Sequence, residues 1–135
     1  MWFKRLVLIA SIAVIAWASS FAEVRWFKAF SYAYKYKTEY GYWTNWTDWI
    51  GCDVYVKFEL DDDVIVIYSN RRQIYAVYSY DGTSTDSGGG VYSSFKVLDQ
   101  DMDRGVIRLR IEDNGNSQLY VDFADVMWVY NVRKL

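Results

Sequence analysis

From residue 25 to the end of the chain, apolar and polar positions alternate with a period of two in one short run after another. That is the spacing of side chains on the two faces of a β-strand. In residues 25–37, Trp26, Phe30, Tyr32, Tyr34 and Tyr36 fall on one parity and Arg25, Ser31, Lys35 and Lys37 on the other. Ala29 and Ala33 would suit a helix, but the density of aromatic residues favours a pleated surface. Val54, Val56, Phe58 and Leu60 then face one way and Asp53, Tyr55, Lys57 and Glu59 the other, up to the turn signal Asp61-Asp62-Asp63. Residues 64–69 are apolar on both parities, which predicts a strand covered on both faces. Residues 70–72 turn the chain, 73–80 return, and 81–90 read as a long polar loop; a strand over 91–98 and an acidic loop over 99–104 follow.

The clearest hairpin spans residues 105–123. Ile107, Leu109 and Ile111 share one face, as do Leu119, Val121 and Phe123, with Asp113-Asn114-Gly115-Asn116 between them. A two-residue Asn-Gly turn would pair Arg110 with Leu119 and mix the faces. The register therefore predicts a three-residue loop over 113–115 with Gly115 in the left-handed conformation. Leu109 then faces Leu119, Ile107 faces Val121, and Arg108 stacks near Tyr120 on the outside. A last strand over 126–132 follows the short connection at Ala124 and Asp125. Seven or eight strands with short connections predict an all-β domain, a single antiparallel meander forming a small closed or partly open barrel, with a β-sandwich as the alternative.

Upstream of the strands the pattern changes. Lys4 and Arg5 precede an uncharged run over 6–22 and then Glu23, the layout of a secretory signal peptide. Its apolar heart, residues 6–18, is shorter than the ~20 residues that cross a bilayer as a helix. Ala16-Trp17-Ala18 and Ser20-Phe21-Ala22 are both small-residue cleavage patterns, and cleavage after Ala22 puts the polar chain directly behind the cut. The expectation is a signal helix over 1–22 and one β domain over 23–135, exported to the periplasm or the extracellular space. The alternative is an uncleaved anchor, with Lys4 and Arg5 snorkelling, as the sole membrane contact.

Composition removes whole classes of chemistry. Without the leader, 113 residues remain with 13 basic and 17 acidic side chains, a net charge of −4 that argues against nucleic acid as a partner. Cys52, the single cysteine, cannot form an internal disulfide and reads as a small buried hydrophobe. No histidine occurs anywhere, which excludes Ser-His and Cys-His nucleophile pairs and the usual zinc or copper ligands. No phosphate-binding glycine motif is present, no cofactor is implied, and there is no proline to interrupt strand pairing.

Trp46-x-x-Trp49, Val64-Ile65-Val66-Ile67-Tyr68-Ser69, Leu119-Tyr120-Val121-Asp122-Phe123 and Trp128-Val129-Tyr130 together resemble a group of small exported β proteins of gut bacteria with no assigned function. The resemblance implies export and a β fold, and no activity. The strand number is also loosely similar to that of calycin-like barrels, the lipocalins and their relatives. Gly41-Tyr42-Trp43 is a near match to their early G-x-W motif.

Three constellations carry candidate chemistry. Tyr40, Tyr42, Trp43, Trp46 and Trp49, interleaved with Thr, Asn and Asp, would suit stacking on a flat apolar face such as a sugar ring, with polar groups placed for its hydroxyls. The structural alternative is that one or two of these tryptophans plug the barrel end and the rest lie on its surface. Asp99, Asp101 and Asp103 alternate like the start of a calcium loop, but the glycine comes one place late and Arg110 stands where the closing Glu belongs. A solvated acidic loop fits better. The remaining carboxylates, Glu59, Glu112 and Asp122 among them, fall in turns or on outward parity, which argues against a glycosidase pair. The sequence thus predicts a non-catalytic exported binding module for a small molecule, glycan or protein. A structural or protein-interaction subunit of the cell envelope is the alternative.

Overall fold

The alternation becomes eight strands among the described residues of the computed structural model, which are 24–112, 114 and 116–135. In chain order they are β1 (Arg25–Tyr36), β2 (Ile50–Glu59), β3 (Val64–Tyr68), β4 (Arg72–Thr85), β5 (Val91–Leu98), β6 (Arg104–Ile111), β7 (Ser117–Asp122) and β8 (Val126–Lys134). Each pairs antiparallel with the next, and β1 pairs with β8 from Phe27↔Lys134 to Tyr36↔Val126. The meander therefore closes on itself as a barrel and not as a sandwich. Closure removes the long exposed edges that a Tyr- and Val-rich sheet would otherwise present for aggregation. The expected leader and its cut sites lie outside the described residues.

Side chains fill the interior. Phe27, Ala29, Val56, Phe58, Ile65, Ile67, Tyr75, Phe95, Val97, Ile107, Leu119, Val121, Tyr130 and Val132 form one cluster, drawn from all eight strands. An eight-stranded barrel has an interior just wide enough for such filling. Burial of each large aliphatic or aromatic side chain contributes about 1.5–3 kcal/mol, so the barrel is held by its packed centre.

Local rules account for the strands, and three details depart from a plain period of two. The β1 pattern does not keep one parity, because a bulge between Ala29 and Ser31 breaks its register with both neighbours. Phe27 and Ala29 point inward before it, Tyr32 packs on the core after it, and Trp26 and Phe30 stay exposed. The extra residue lets a 12-residue strand bend around the barrel. The polar stretch after residue 80 is strand and not loop. β4 runs on through Thr85, paired with β5, and only 86–90 turn. Bulges between Val77 and Ser79 and between Tyr80 and Gly82, with Gly82 at φ 86°, let that Ser/Thr/Gly-rich segment follow the barrel wall. Finally, Leu60 leaves the strand alternation for a 3-10 turn at Leu60–Asp62, closed by Asp63 in the left-handed region.

The β6–β7 hairpin has the expected register, with Ile107↔Val121, Arg108↔Tyr120 and Leu109↔Leu119. Its loop is three residues, because Glu112 N–H donates to Asn116 O; the expected conformation of Gly115 lies outside the described residues. Three other turns share one plan. In 38–42, 86–90 and 99–103 the first residue donates its N–H to the fifth residue's carbonyl and accepts from the fourth residue's N–H. The fourth residue is left-handed each time, as Gly41 (φ 87°), Gly89 (φ 85°) and Met102 (φ 66°). Side-chain oxygens of Thr38, Asp86 and Asp99 accept further backbone N–H groups of the turn.

Strand direction sorts the connections onto two ends. Residues 37–49, 69–71, 99–103 and 123–125 share one end; 60–63, 86–90, 112–116 and both ends of the described chain share the other. The aromatic segment therefore sits at the end opposite Arg25.

Candidate functional site

The tryptophan segment is held in place by two threonines. β2 stops pairing with β1 at Tyr32↔Ile50, while β1 continues to Tyr36 along β8. Four backbone groups of Tyr34 and Tyr36 are left without a strand. Thr47 takes the first two, donating its N–H to Tyr34 O (2.9 Å) and accepting Tyr34 N–H at Oγ1 (3.1 Å). Thr44 repeats the arrangement with Tyr36, at 2.8 and 3.0 Å. Each hydroxyl thus replaces a carbonyl of the missing strand, which explains the Trp-Thr-x-Trp-Thr spacing of residues 43–47.

This pinning places the predicted aromatic residues unevenly. Lys35 Nζ lies 5.4 Å from the centroid of the Trp43 ring and 4.9 Å from that of Trp46, and Lys37 Nζ lies 5.4 Å from Trp43. Such cation–π contacts contribute about 0.5–1 kcal/mol each at exposed sites. Trp43 is half-buried, whereas Trp46 and Trp49 remain 39% and 50% exposed. Tyr40 and Tyr42, on the hairpin over 38–42, are the most exposed at 79% and 73%. Trp43 and Trp46 are thus brought together around one lysine on the outer flank of β1. Tyr40, Tyr42 and Trp49 stand further out along the same segment.

A concave feature at this end belongs to other residues. A half-open cavity of about 460 Å³ is lined by Tyr32, Gly51, Cys52, Asp53, Val54, Ser69, Asn70 and Tyr130, none of them tryptophan. Tyr32 and Tyr130 stand 6.1 Å apart between ring centroids. Behind them Gln73 links the core to the rim, accepting from Tyr75 Oη and donating to Ser69 Oγ (2.9 Å) and Tyr130 Oη (3.4 Å). Burial pushes the Tyr130 hydroxyl above its ordinary ionisation range, so it stays neutral. Cys52 points inward, its thiol donating to Ala29 O at 3.6 Å. Burial, then the neighbouring Asp53 carboxylate, pushes its ionisation upward, the opposite of what an activated thiolate needs.

Several carboxylates are occupied in structural roles. Oxygen atoms of Asp99, Asp101 and Asp103 come within 4.8 Å of one another, yet Asp99 Oδ1 already accepts the Asp101 and Asp103 N–H groups that shape the turn. Asp86 accepts from Gly88, Gly90 and Arg110, and Arg110 also holds Glu112. The Arg110 hydrogen bond, above all, draws the Asp86 carboxyl below its ordinary value. Arg108 bonds Asp122 at 2.7 Å and lies over Tyr120 at 4.4 Å, the stacking expected from the hairpin register.

Comparison with protein-family models, curated proteins and solved structures finds no match for this chain. The site must therefore be read from its own geometry. The tryptophan segment was legible because its residues are contiguous. The cavity was not, because its walls come from β1, β2, the β3–β4 turn and β8, and no spacing along the chain announces their meeting.

Proposed function

We propose that this protein is an exported, non-catalytic binding module that takes a flat-faced ligand, best matched by a glycan ring, on the aromatic segment over residues 40–49. The observation that carries the reading is the combination of rigid attachment and exposure. Four hydrogen bonds to Tyr34 and Tyr36 fix the segment, yet the Trp46 and Trp49 rings stay open to solvent. A rigid aromatic surface loses little conformational entropy on binding and offers large contact area. Exposed Asn45 and Asp48 alternate with the rings and can take ligand hydroxyls. The filled interior directs any ligand to the barrel's outside or mouth. The lack of histidine and the pairing of Asp86, Glu112 and Asp122 with arginines support a role without catalysis.

Titration of the purified protein against a glycan panel, read by tryptophan fluorescence, tests the proposal. The expected result is a bound glycan whose affinity falls at least about tenfold in both Trp46→Ala and Trp49→Ala and is unchanged in Trp26→Ala, at the other end of the barrel. Unaltered emission across the panel, or equal losses in all three variants, overturns it.

A further inference from the structure

The cavity beside Tyr32 borders a short length of sheet edge that the barrel leaves open. Leu135 N–H donates to Trp26 O, so even residues in the first half of β1 turn their backbone groups toward β8 and odd ones toward β2. Val56 and Val54, opposite Phe27 and Ala29, therefore turn toward β1. The odd residues of β2 turn the other way, toward β3. Tyr55, Lys57 and Glu59 meet Tyr68, Val66 and Val64 there. Asp53 and Gly51 come next in the series, but β3 has ended at Tyr68 and the chain turns away through Ser69 and Asn70. Among the described residues nothing hydrogen-bonds the backbone of Gly51 or Asp53 on that side. Two N–H groups and two carbonyls thus stand at strand spacing along the rim of the cavity. Gly51 and Asp53 are exposed, so water meets these groups now, and an added strand would take its place at all four.

We propose that this notch binds an extended peptide, which adds as a short strand to the Gly51–Asp53 edge and places one apolar side chain in the cavity. The register follows from the pleat. Two residues of the peptide pair with Gly51 and Asp53, and their side chains point outward as those two do. The residue between them lies opposite Cys52 and points inward, onto the walls formed by Tyr32, Val54 and Tyr130. At about 460 Å³ the cavity falls in the range of sites that hold small ligands. The outer face over Gly51 is open, because a Cβ built there meets no atom within 4 Å. The site is separate from the tryptophan flank, and its occupant is recognised by main-chain amides and not by ring faces.

The probe is a set of end-blocked pentapeptides, acetyl-Ser-Thr-X-Thr-Ser-amide with X as Gly, Val, Leu or Phe, titrated into isotope-labelled full chain and followed by amide NMR. The expected result is binding with apolar X and at least about tenfold weaker binding with Gly, together with shifts at the Gly51 and Asp53 amides. N-methylation of either Thr amide should weaken binding at least about tenfold, while N-methylation of X, whose N–H points away from the edge, is tolerated. Trp46→Ala should bind the peptides unchanged, which separates this site from the proposed glycan surface. Absence of binding at millimolar peptide, N-methyl effects without a period of two, or shifts confined to residues 43–49 overturn the proposal. So does concentration-dependent protection of the Gly51 and Asp53 amides without peptide, which assigns the edge to a second copy of the chain.

Discussion

Replacing Thr44 and Thr47 by valine tests whether hydroxyls stand in for the strand that β1 lacks. Each change removes one acceptor, Oγ1, from one backbone donor, Tyr36 N–H or Tyr34 N–H, and leaves the threonine's own N–H bond to the β1 carbonyl in place. A hydrogen bond of this kind contributes about 1 kcal/mol net, and an exposed site sets the cost at or below that figure. The urea dependence of a chain this size is about 1.5 kcal/mol per molar, so each substitution should lower the unfolding midpoint by roughly 0.5–0.7 M. The double variant should lose somewhat less than the sum, because both threonines hold one segment. Hydrogen exchange supplies the local test: the Tyr34 and Tyr36 amides should exchange roughly fivefold faster in the valine variants, as 1 kcal/mol implies. Thr44→Ser and Thr47→Ser keep the hydroxyl and should behave like wild type. Unchanged midpoints together with fully protected Tyr34 and Tyr36 amides in the valine double variant would refute the reasoning, since the segment would then owe its position to the tryptophan contacts alone.

Three further outcomes can be checked directly. Met102 holds a left-handed conformation at φ 66° with its side chain 70% exposed; Met102→Gly should relieve that strain and stabilise the protein by about 0.5–1 kcal/mol, read as a higher melting temperature. A Cβ on Gly105 would lie 2.7 Å from the Phe123 ring and 2.9 Å from Asp122 O, so Gly105→Ala should cost about 1–3 kcal/mol in urea unfolding by overpacking. The pH profile should fall at both ends. Asp86, drawn below its ordinary 3.8 by Arg110 first and Gly90 next, contributes stability that is present above that value and lost as pH falls through the lower folded value. Asp86→Asn should flatten this acid limb. Tyr75 and Tyr130, raised chiefly by burial, contribute stability that is complete below their ordinary 10.0 and declines as pH climbs toward the folded values. Urea midpoints measured on both sides of pH 10, with tyrosinate absorbance, follow that limb.

Much of the barrel could be read along the chain because antiparallel neighbours are also sequence neighbours. In the β6–β7 hairpin, the parity of Ile107, Leu109, Leu119 and Val121 excluded the two-residue turn that mixes the faces, and the register of a three-residue loop is the one found. The same logic failed at residues 25–37 and 81–90. A bulge changes parity by one residue and leaves no mark in composition, and in β4 the positions that read as loop are strand because β5 lies ready to pair with them. The tryptophan segment could be picked out as unusual, but its exposure follows from where β2 leaves β1, a matter of register between distant strands.

By itself the sequence determined strand chemistry: alternation with a period of two, turn residues where the chain reverses, and a residue inventory without histidine. Those are local properties, fixed by each residue and its near neighbours. Barrel closure, the bulge in β1, the filled interior and the open edge at Gly51 and Asp53 were decided only in three dimensions. The reason is the pairing of β1 with β8 across the whole length of the domain, since it sets how far each strand must bend and which backbone groups are left without a partner.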